Sequence, residues 1–375
     1  MKSSITPNQI KQNNRKLIYQ YIYQKKKVSQ QDISYDLRLS RPTVTSNITA
    51  LENEGLIHKD GQIDTEYVGR KAAAYSIVSD FRVSLGVEIL KTEIKIIAVD
   101  LNGEKIDRMT FDIAYANEET YIQSVCHKIL EFKNSLSISD EQILGIGFAM
   151  QALISPDKKT ILYGKILGCT GLSIDSFVKY LPYPCSFIHD AESAAISEMW
   201  VSPTLKDAFY ISISKHLGAA IIRDGKILEG KHGHSSTIEH ITMEPQGCVC
   251  YCGKQGCMET LCSLEALLLN GETLEEFFLH LNQDDSAYRS RWNTFLRNLA
   301  KSINMLHLIY DTDFILGGYI APYITEKDLD FLYEEIADMT PFPEVNDFIL
   351  ISKMPKHNIT IGAALPYIQD FLSSY

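Results

Sequence analysis

Hydrophobic residues in the first 78 positions are spaced as in three short helices followed by two strands. Between positions 13 and 24 they recur every three or four residues, which predicts a first helix. Ser29 and Ser40 are of the type that caps helices, and they precede predicted helices at 30–37 and 41–54. Leu56 begins a strand, a polar turn is expected at 59–61, and a second strand is expected at 73–77.

This order of elements is typical of a winged helix-turn-helix, whose third helix enters the major groove of DNA. In that helix Val44, Ile48 and Leu51 would face the core, leaving polar groups on the other side. The residues expected to contact DNA are Ser40, Arg41, Thr43, Thr45, Ser46, Asn47, and, in the wing, Arg70 and Lys71. The alternative interpretation is a helical protein-docking domain with a solvated polar face.

From Phe81 onwards, strand-like apolar runs alternate with helical stripes. Strands are expected at 83–89, 93–100, 106–112, 144–150, 186–189, 209–214, 219–223, 314–316 and 348–352. Helices are expected at 119–136, 191–200, 263–269, 274–282, 288–309 and 360–372. The alternation predicts an α/β fold, and the tight turn at 102–103 favours a mixed sheet over a purely parallel one.

Charge separates the N-terminal segment from the rest. The whole chain carries a formal charge of −11, yet residues 1–78 hold twelve Lys and Arg against seven Asp and Glu. A basic segment on an acidic body fits a polyanionic partner such as DNA. No apolar run reaches membrane-spanning length, the N-terminus lacks the apolar stretch of a secretory signal, and scattered cysteines suit a reducing compartment. We therefore expect a cytoplasmic protein that does not engage a membrane.

Half of the eight cysteines lie in one short stretch, at positions 248, 250, 252 and 257. His240 precedes them and Glu259 follows, while Gly253 and Gly256 allow the backbone to turn. Thiolates and an imidazole this close together suit a tetrahedral Zn²⁺ of structural type. A chance cluster or disulfides are the alternatives, and five candidate ligands compete for four places.

The winged helix-turn-helix, the α/β body and the His…Cys-X-Cys-Gly-X-X-Gly-Cys-X-Glu run together resemble the ROK family of repressors, open reading frames and sugar kinases. The resemblance covers essentially the whole chain, and the cysteine run is its most specific part. It implies a two-lobed, actin-like (ribonuclease H-like) ATPase body with a zinc-binding loop. The ligands it implies are His240, Cys250, Cys252 and Cys257. Cys248 would be an extra thiol, although its exchange with Cys250 stays open.

The nucleotide side departs from the family pattern. Family kinases receive phosphate on an Asp-X-Gly-Gly-Thr turn and a Gly-Thr-Gly turn, but here these read Glu88-Ile89-Leu90-Lys91-Thr92 and Ser214-Lys215-His216. Side chains in place of glycines obstruct the approach of a phosphate to the backbone. Gly317-Gly318 persists where the family binds adenosine. We expect no kinase activity.

The sugar side is partly retained. Asp190 stands at the family's general-base position, but His189 replaces the preceding Asn. The Glu of the family's Glu-X-Gly-His motif is Thr237 here, with a Glu two residues further on. The expected effector-binding residues are Gln151, His189, Asp190, His240 and Glu259, and none is expected to be catalytic. Alternatively, Asp190 only caps its helix.

The sequence thus predicts a transcriptional regulator, most simply a repressor, of carbohydrate metabolism. It would bind double-stranded operator DNA as a homodimer or dimer of dimers and respond to a sugar or phosphosugar. The expected units are a DNA-binding domain at 1–78, a first lobe at 79–190 plus 360–375, and a second lobe at 191–359 with the zinc site and the dimer surface. An ATP-dependent sugar kinase, or a regulator with a vestigial cleft, are the alternatives.

Overall fold

The computed structural model describes residues 6–63, 71–343, 346–354 and 356–375. Its N-terminal part is a winged helix-turn-helix, as expected, with a three-stranded sheet in the order β1-β3-β2. The elements are α1 (Pro7–Lys25), β1 (Val28–Ser29), α2 (Gln30–Asp36), α3 (Arg41–Asn53), β2 (Ile57–Ile63) and β3 (Ala72–Ile77).

Side-chain caps start the three helices of this unit. Ser29 accepts a hydrogen bond from the Asp32 amide, and the Asp32 carboxylate in turn accepts from the Ser29 amide. Ser40 likewise accepts from the amide of Thr43, with Pro42 in the first turn. These bonds, reciprocal at Ser29, satisfy amides that have no partner inside a helix, so α2 and α3 begin where the sequence predicts.

The wing differs from the prediction in one respect. The polar segment 59–61 belongs to β2, where the pairing with β3 shifts register between Lys59 and Gln62. The prediction of a turn there was therefore wrong: Gly61 lies at an irregularity within the strand, and β2 continues to Ile63. The connection to β3, which includes Arg70, lies outside the described residues.

The body begins with a five-stranded mixed sheet in the order β10-β7-β4-β5-β6. Strands β4, β5 and β6 pair antiparallel, whereas β4, β7 and β10 pair parallel, as the tight early turns indicated. The elements are β4 (Val83–Ile89), β5 (Ile94–Val99), β6 (Lys105–Phe111), α4 (Glu119–Ser135), β7 (Ile143–Met150), β8 (Leu153–Ile154), β9 (Ile161–Tyr163), α5 (Asp175–Val178) and β10 (Cys185–His189).

A second five-stranded sheet follows, in the order β13-β12-β11-β14-β15. Its elements are α6 (Asp190–Val201), β11 (Ala208–Ile213), β12 (Leu217–Arg223), β13 (Lys226–Ile227), α7 (Glu259–Cys262), α8 (Leu264–Leu267), α9 (Leu274–Asn282), α10 (Ser286–His307), β14 (Phe314–Gly317), α11 (Glu326–Met339), β15 (Ile349–Ile351) and α12 (Asn358–Ser374). No helix of the described residues is long and apolar enough to cross a membrane.

Helix α12 lies directly on the first sheet. A side chain at Gly147 of β7 would place its Cβ 1.9 Å from the carbonyl oxygen of Ala363, so only glycine permits this contact. The same helix packs on α6, where the hydroxyls of Ser193 and Ser197 donate to the carbonyls of Ile359 and Asn358 at 2.5 and 2.6 Å. Helices α6 and α12 are thereby held as a rigid pair.

The core of the winged unit is continuous with the body. Ile18 and Ile22 of α1 belong to the same buried cluster as Ile361, Leu365 and Ile368 of α12. Because the cluster also contains apolar residues of β5, the N-terminal unit is packed against the first sheet and is not separated from it by a bare linker.

Candidate functional site

The cysteine loop folds into a compact knuckle beside the second sheet. The amide of Gly253 donates to the Cys250 carbonyl at 2.8 Å, and the amide of Cys250 donates to the Lys254 carbonyl at 2.8 Å. Gly256 has a φ of +68°, and a Cβ there would lie 1.5 Å from the Glu244 carbonyl oxygen. Both the positive φ and this close approach therefore require glycine at this turn, as the sequence predicts.

The knuckle gathers the four ligand atoms that the family resemblance implies. The donor atoms of His240, Cys250, Cys252 and Cys257 all lie within 4.8 Å of one another. The Cys252 and Cys257 sulfurs are 3.7 Å apart, and the Cys250 sulfur is 3.8 Å from Nδ1 of His240. Zn–S bonds of about 2.3 Å in a tetrahedron separate sulfurs by about 3.8 Å, so the arrangement fits Zn²⁺.

Cys248 is excluded from this group of four. Its side chain is exposed, and only its backbone takes part in the knuckle, through a 2.9 Å hydrogen bond from the Gly256 amide to its carbonyl. Burial lowers the pKa of His240, which favours the neutral imidazole that a metal requires. The choice between Cys248 and Cys250 is open at the level of sequence, and the geometry places Cys250, not Cys248, beside His240, Cys252 and Cys257.

Strand ends place the predicted effector residues in one cleft beside the knuckle. Parallel strands β7 and β10 pair so that His189 lies opposite Met150, and hence Gln151 and Asp190 follow at the same edge of the sheet. The carboxyl ends of parallel strands are where α/β folds bind ligands. A cavity there is lined by Gln151, His189, Asp190 and His240, with Lys165, His216, Glu239 and Tyr251.

Asp190 begins α6 and faces the cavity. Its Oδ1 accepts a hydrogen bond from the amide of Ala191 at 2.8 Å and lies 3.5 Å from Nε2 of His189. Both the helix-capping role and the ligand-binding role considered from sequence are therefore compatible with its position. The side chain of Gln151 has no hydrogen-bond partner among the described residues, so its amide is available to a ligand.

Glu259 occupies a different place from the one its sequence position suggested. It is 4% exposed and lies behind the cavity wall. Its Oε1 is 2.8 Å from Nδ1 of His216, and its Oε2 accepts from the Leu217 amide at 2.8 Å. Glu259 thus positions His216, which does line the cavity, and has no direct contact with the space itself.

Several cavity residues were not among the predicted ones. Glu239 is 6% exposed, and burial raises the pKa of its carboxyl to about 7. The hydroxyl of Tyr251 is 3.4 Å from Nε2 of His240, and its ring meets the rings of His216 and His240 edge to face. The sequence did contain a signal for Tyr251. It lies between the predicted metal ligands Cys250 and Cys252, so it must lie close to the predicted metal site.

The two turns that correspond to the phosphate-binding turns of the family kinases make other contacts in this chain. The amide of Leu90 donates to the Glu93 carbonyl at 3.0 Å, which closes the first turn on itself. Across the second turn, Nζ of Lys215 lies 3.4 Å from Glu265. Nζ of Lys95 reaches over to the other lobe, 3.2 Å from the hydroxyl of Tyr319.

On the face of α3 that is predicted to contact DNA, the side chains are accessible except at Asn47. Arg41, Thr45 and Ser46 are exposed, and Thr43 is half-buried. Asn47 is 6% exposed, and its Nδ2 donates to the Thr43 carbonyl at 2.8 Å. The expectation that Asn47 belongs to the exposed face was wrong, because it lies three residues after Val44 on the buried side. In the wing Lys71 is exposed.

Comparison with known proteins agrees with this architecture. The ROK family model matches residues 84–366, and a winged helix-turn-helix DNA-binding model matches residues 12–58. The chain belongs to the ROK family. This ROK protein is 24% identical to the xylose repressor of Caldicellulosiruptor bescii over 97% of both chains. It is 26% identical to the DNA-binding transcriptional dual regulator NagC of Escherichia coli K12, over 69% of this chain and 64% of NagC.

Among solved structures, it resembles a ROK family transcriptional regulator described as a homologue of the E. coli MLC protein. The TM-score is 0.74 at 22% identity, with 97% of both chains covered. A ROK family glucokinase from Streptomyces griseus, solved with glucose and AMPPNP, matches the body alone, with a TM-score of 0.66 at 20% identity over 76% of this chain and 99% of the kinase. The regulator and the kinase thus share the fold of the body, and the regulator match also spans the N-terminal unit.

Proposed function

We propose that this ROK protein is a DNA-binding transcriptional regulator, a repressor in the simplest case, whose cleft senses a carbohydrate. One observation carries the proposal. A capped α3 with exposed Arg41, Thr45 and Ser46 shares a continuous core with a body whose cleft keeps unpaired polar groups. Names of full-length relatives, the xylose repressor among them, agree with this combination.

The cleft suits a polyhydroxylated ligand by its chemistry. Gln151 offers both donor and acceptor atoms, Asp190 and Glu239 offer carboxylate oxygens, and Tyr251 adds a ring face and a hydroxyl. Such convergent polar groups in a concave site orient a small molecule rich in hydroxyls. Asp190 offsets the charge of Lys165 in the lining, so no excess of lysine or arginine favours a phosphosugar over a neutral sugar at this position.

Absence of kinase activity forms part of the proposal. In family kinases the base accepts a proton from the sugar while phosphate rests on glycine-rich turns. Here Asp190 is retained, but Leu90 and Lys91 replace the glycines of the first turn, and the second turn carries His216 and a Lys215–Glu265 ion pair. Because Glu265 compensates the charge of Lys215, this lysine does not replace the lost glycines as a free cation for phosphate.

Zinc held by His240, Cys250, Cys252 and Cys257 would be structural. Four protein ligands close the coordination sphere and leave no position for a substrate. The metal would fix the segment that carries His240 and Tyr251 at the cleft wall and, through Glu259, the position of His216. The effector would then bind against a cleft wall of fixed shape.

The effect of sugar binding would be transmitted to the DNA-binding domain through α6. This helix starts at Asp190 in the cleft and packs along α12, whose apolar side belongs to the core of the winged unit. Closure of the lobes on a sugar would shift these helices and change the separation of two recognition helices in a homodimer or dimer of dimers. Half-sites about one DNA turn apart tolerate little change in that separation.

The proposed units follow the sequence boundaries: a DNA-binding domain at 1–78, a lobe at 79–190 joined by 360–375, and a lobe at 191–359. The strands of the first sheet, 83–189, and of the second, 208–351, fall on the two sides of this division. The dimer surface would lie on the second lobe, away from the recognition helices.

An electrophoretic mobility shift with the DNA upstream of the gene, with and without a panel of pentoses, hexoses and amino sugars, tests the proposal. We expect the protein to retard the migration of the DNA, and one of the sugars to release the DNA from the complex. A coupled ATPase assay with the same sugars tests the kinase alternative, and turnover that Asp190→Asn abolishes would overturn the proposal. Retarded DNA that no sugar affects would instead support a regulator with a vestigial cleft.

A further inference from the structure

A second cavity adjoins the effector cleft and has not been used above. It shares Leu153 and His189 with the cleft. We name the cleft at Asp190 compartment A and this neighbouring space compartment B. The polar residues that line compartment B are Ser155, Lys158, His189, Glu192, Glu229, Ser235, Ser236 and Thr237.

Three chain segments each line both compartments, so that the two form one groove. The segment after β7 gives Gln151 to compartment A and Ile154 to compartment B. The first turn of α6 gives Asp190 to A and Glu192 to B, two residues apart on one rigid element. The segment before the knuckle does the same, with Thr237 in B and residues 239–240 in A.

The polar groups of compartment B are mostly hydroxyls, together with one unpaired carboxylate. Ser235, Ser236 and Thr237 follow one another along its wall. The carboxylate of Glu192 has no hydrogen-bond or ion-pair partner among the described residues, and burial raises its pKa. A carboxyl group held at a cavity wall without a partner is available to hydrogen-bond a ligand.

Compartment B also has apolar lining residues. These are Leu153, Ile154, Pro156, Phe187 and Ile188. A pyranose or furanose ring carries C–H faces and a rim of hydroxyls, which is the same division between apolar and polar surface. The lining therefore matches a sugar ring better than a flat apolar group or a free ion.

Charge in compartment B disfavours an anion. Lys158 is the one lysine among the described lining residues, and its Nζ already lies 3.4 Å from the carboxylate of Glu229. Since Glu229 already pairs with Lys158, the described lining offers a phosphate or carboxylate no uncompensated lysine or arginine. The occupant expected from the lining is neutral and rich in hydroxyls.

Building on the function proposed above, we propose that the effector is a glycoside of two sugar rings, with one ring at Asp190 in compartment A and the second at Glu192 in compartment B. The glycosidic link passes His189 and Leu153, which line both spaces. The Lys158–Glu229 pair lines the space of the second ring, so a disaccharide contacts both compartments where a monosaccharide contacts compartment A alone.

Isothermal titration of the full chain with matched sugars tests this inference. The probes are glucose with cellobiose and maltose, xylose with xylobiose, and N-acetylglucosamine with its β1,4-linked dimer. We expect one disaccharide to bind about tenfold or more tightly than its monosaccharide. Glu192→Gln, which keeps the side-chain volume, should remove about tenfold from the disaccharide affinity and leave the monosaccharide affinity unchanged. Gln151→Ala should weaken both.

The control variant is Glu326→Gln, which removes an exposed carboxylate at the start of α11. Equal affinity for mono- and disaccharide, unaffected by Glu192→Gln, would overturn the two-ring assignment and leave a monosaccharide sensor. No binding of any probe would overturn the sugar-sensing function together with the two-ring assignment. Unchanged melting temperatures of the ligand-free variants exclude a folding defect as the cause of any loss.

Discussion

The indole nitrogen of Trp200 donates a hydrogen bond to the backbone carbonyl of Asn102, with 2.8 Å between the two atoms. The side-chain oxygen of Asn102 accepts from Nζ of Lys26, also at 2.8 Å, at the end of α1. Since Trp200 lies near the end of the helix that Asp190 begins, one rigid element joins the cleft to a loop that touches the winged unit.

We expect Trp200→Phe to weaken communication between sugar and DNA. The substitution keeps an aromatic ring but removes the hydrogen bond to Asn102. A movement of α6 is therefore transmitted less completely to the winged unit. The ratio of operator affinities with and without the sugar effector should fall towards one, while each ligand alone binds with nearly its original affinity. Fluorescence anisotropy of labelled operator measures the ratio.

Tyr183→Phe serves as the control, because it also deletes one aromatic hydrogen-bond donor, to Asp140, but lies away from α6. It should leave the ratio unchanged. An unaltered ratio in Trp200→Phe would show that the signal takes another route, such as the contacts of α12.

The metal content of cysteine variants distinguishes the knuckle ligands. Cys250→Ser should lose most of the zinc and lower the melting temperature, since a missing thiolate opens a four-ligand site. Cys248→Ser removes an exposed thiol and should retain about one zinc per chain. Inductively coupled plasma mass spectrometry of the purified variants gives the stoichiometry. Full zinc in Cys250→Ser with loss in Cys248→Ser would reverse the ligand assignment.

Arg41→Ala should weaken operator binding by about 10–100-fold, which corresponds to about 1–3 kcal/mol for one well-placed arginine. Arg41 is exposed at the start of α3, where recognition helices approach DNA. Lys105→Ala removes the same charge from an exposed position on β6 and provides the control. Equal losses for the two variants would indicate that Arg41 contributes charge alone.

The pH dependence of stability should reveal the buried carboxyl of Glu88. Burial raises its pKa to about 7, and Lys95, 3.7 Å away, only partly opposes the shift. The unfolded pKa is about 4.3, so between these pH values the folded state binds more protons than the unfolded state. The free energy of unfolding therefore decreases as the pH rises from about 4.3 to about 7 and stays lower above it.

Glu88→Gln removes this ionisation. We expect the variant to be more stable than the parent at pH 8, by about 1–3 kcal/mol, and to differ much less at pH 5. Urea denaturation at the two pH values measures the difference. If the free energy of unfolding of the variant differs from that of the parent by the same amount at both pH values, Glu88 does not titrate in this range.

Local spacing predicted much of this molecule. Ser29 and Ser40 fix helix starts through bonds to residues three positions away, and the cysteine ligands lie within eight positions of one another, so both patterns are visible in sequence. The 14-residue helix α11 was missed, although Thr325 and Asp328 form a capping box at its start. Asn47 was misplaced because polarity was given more weight than its spacing from Val44.

Long-range contacts set the limit of prediction. The ligand role implied for Glu259 came from its distance to the last cysteine, but its actual partner is His216, 43 residues earlier in the chain. Compartment B depends on residues from 153 to 237 that meet only after both lobes have formed. Side chains brought together in this way share no periodic pattern, and only packing defines them.

The core that α1 shares with α12 has a consequence for biosynthesis. Residues 6–63 leave the ribosome well before α12, and at about 5–20 residues per second the interval is on the order of tens of seconds. During that time Ile18 and Ile22 lack the partners Ile361, Leu365 and Ile368 that complete their cluster, and Tyr19 lacks the ring of Tyr375, 5.2 Å away in the folded chain. We therefore expect the nascent winged unit to be less stable than the finished one, and its binding to DNA to become tight only once the body has been made.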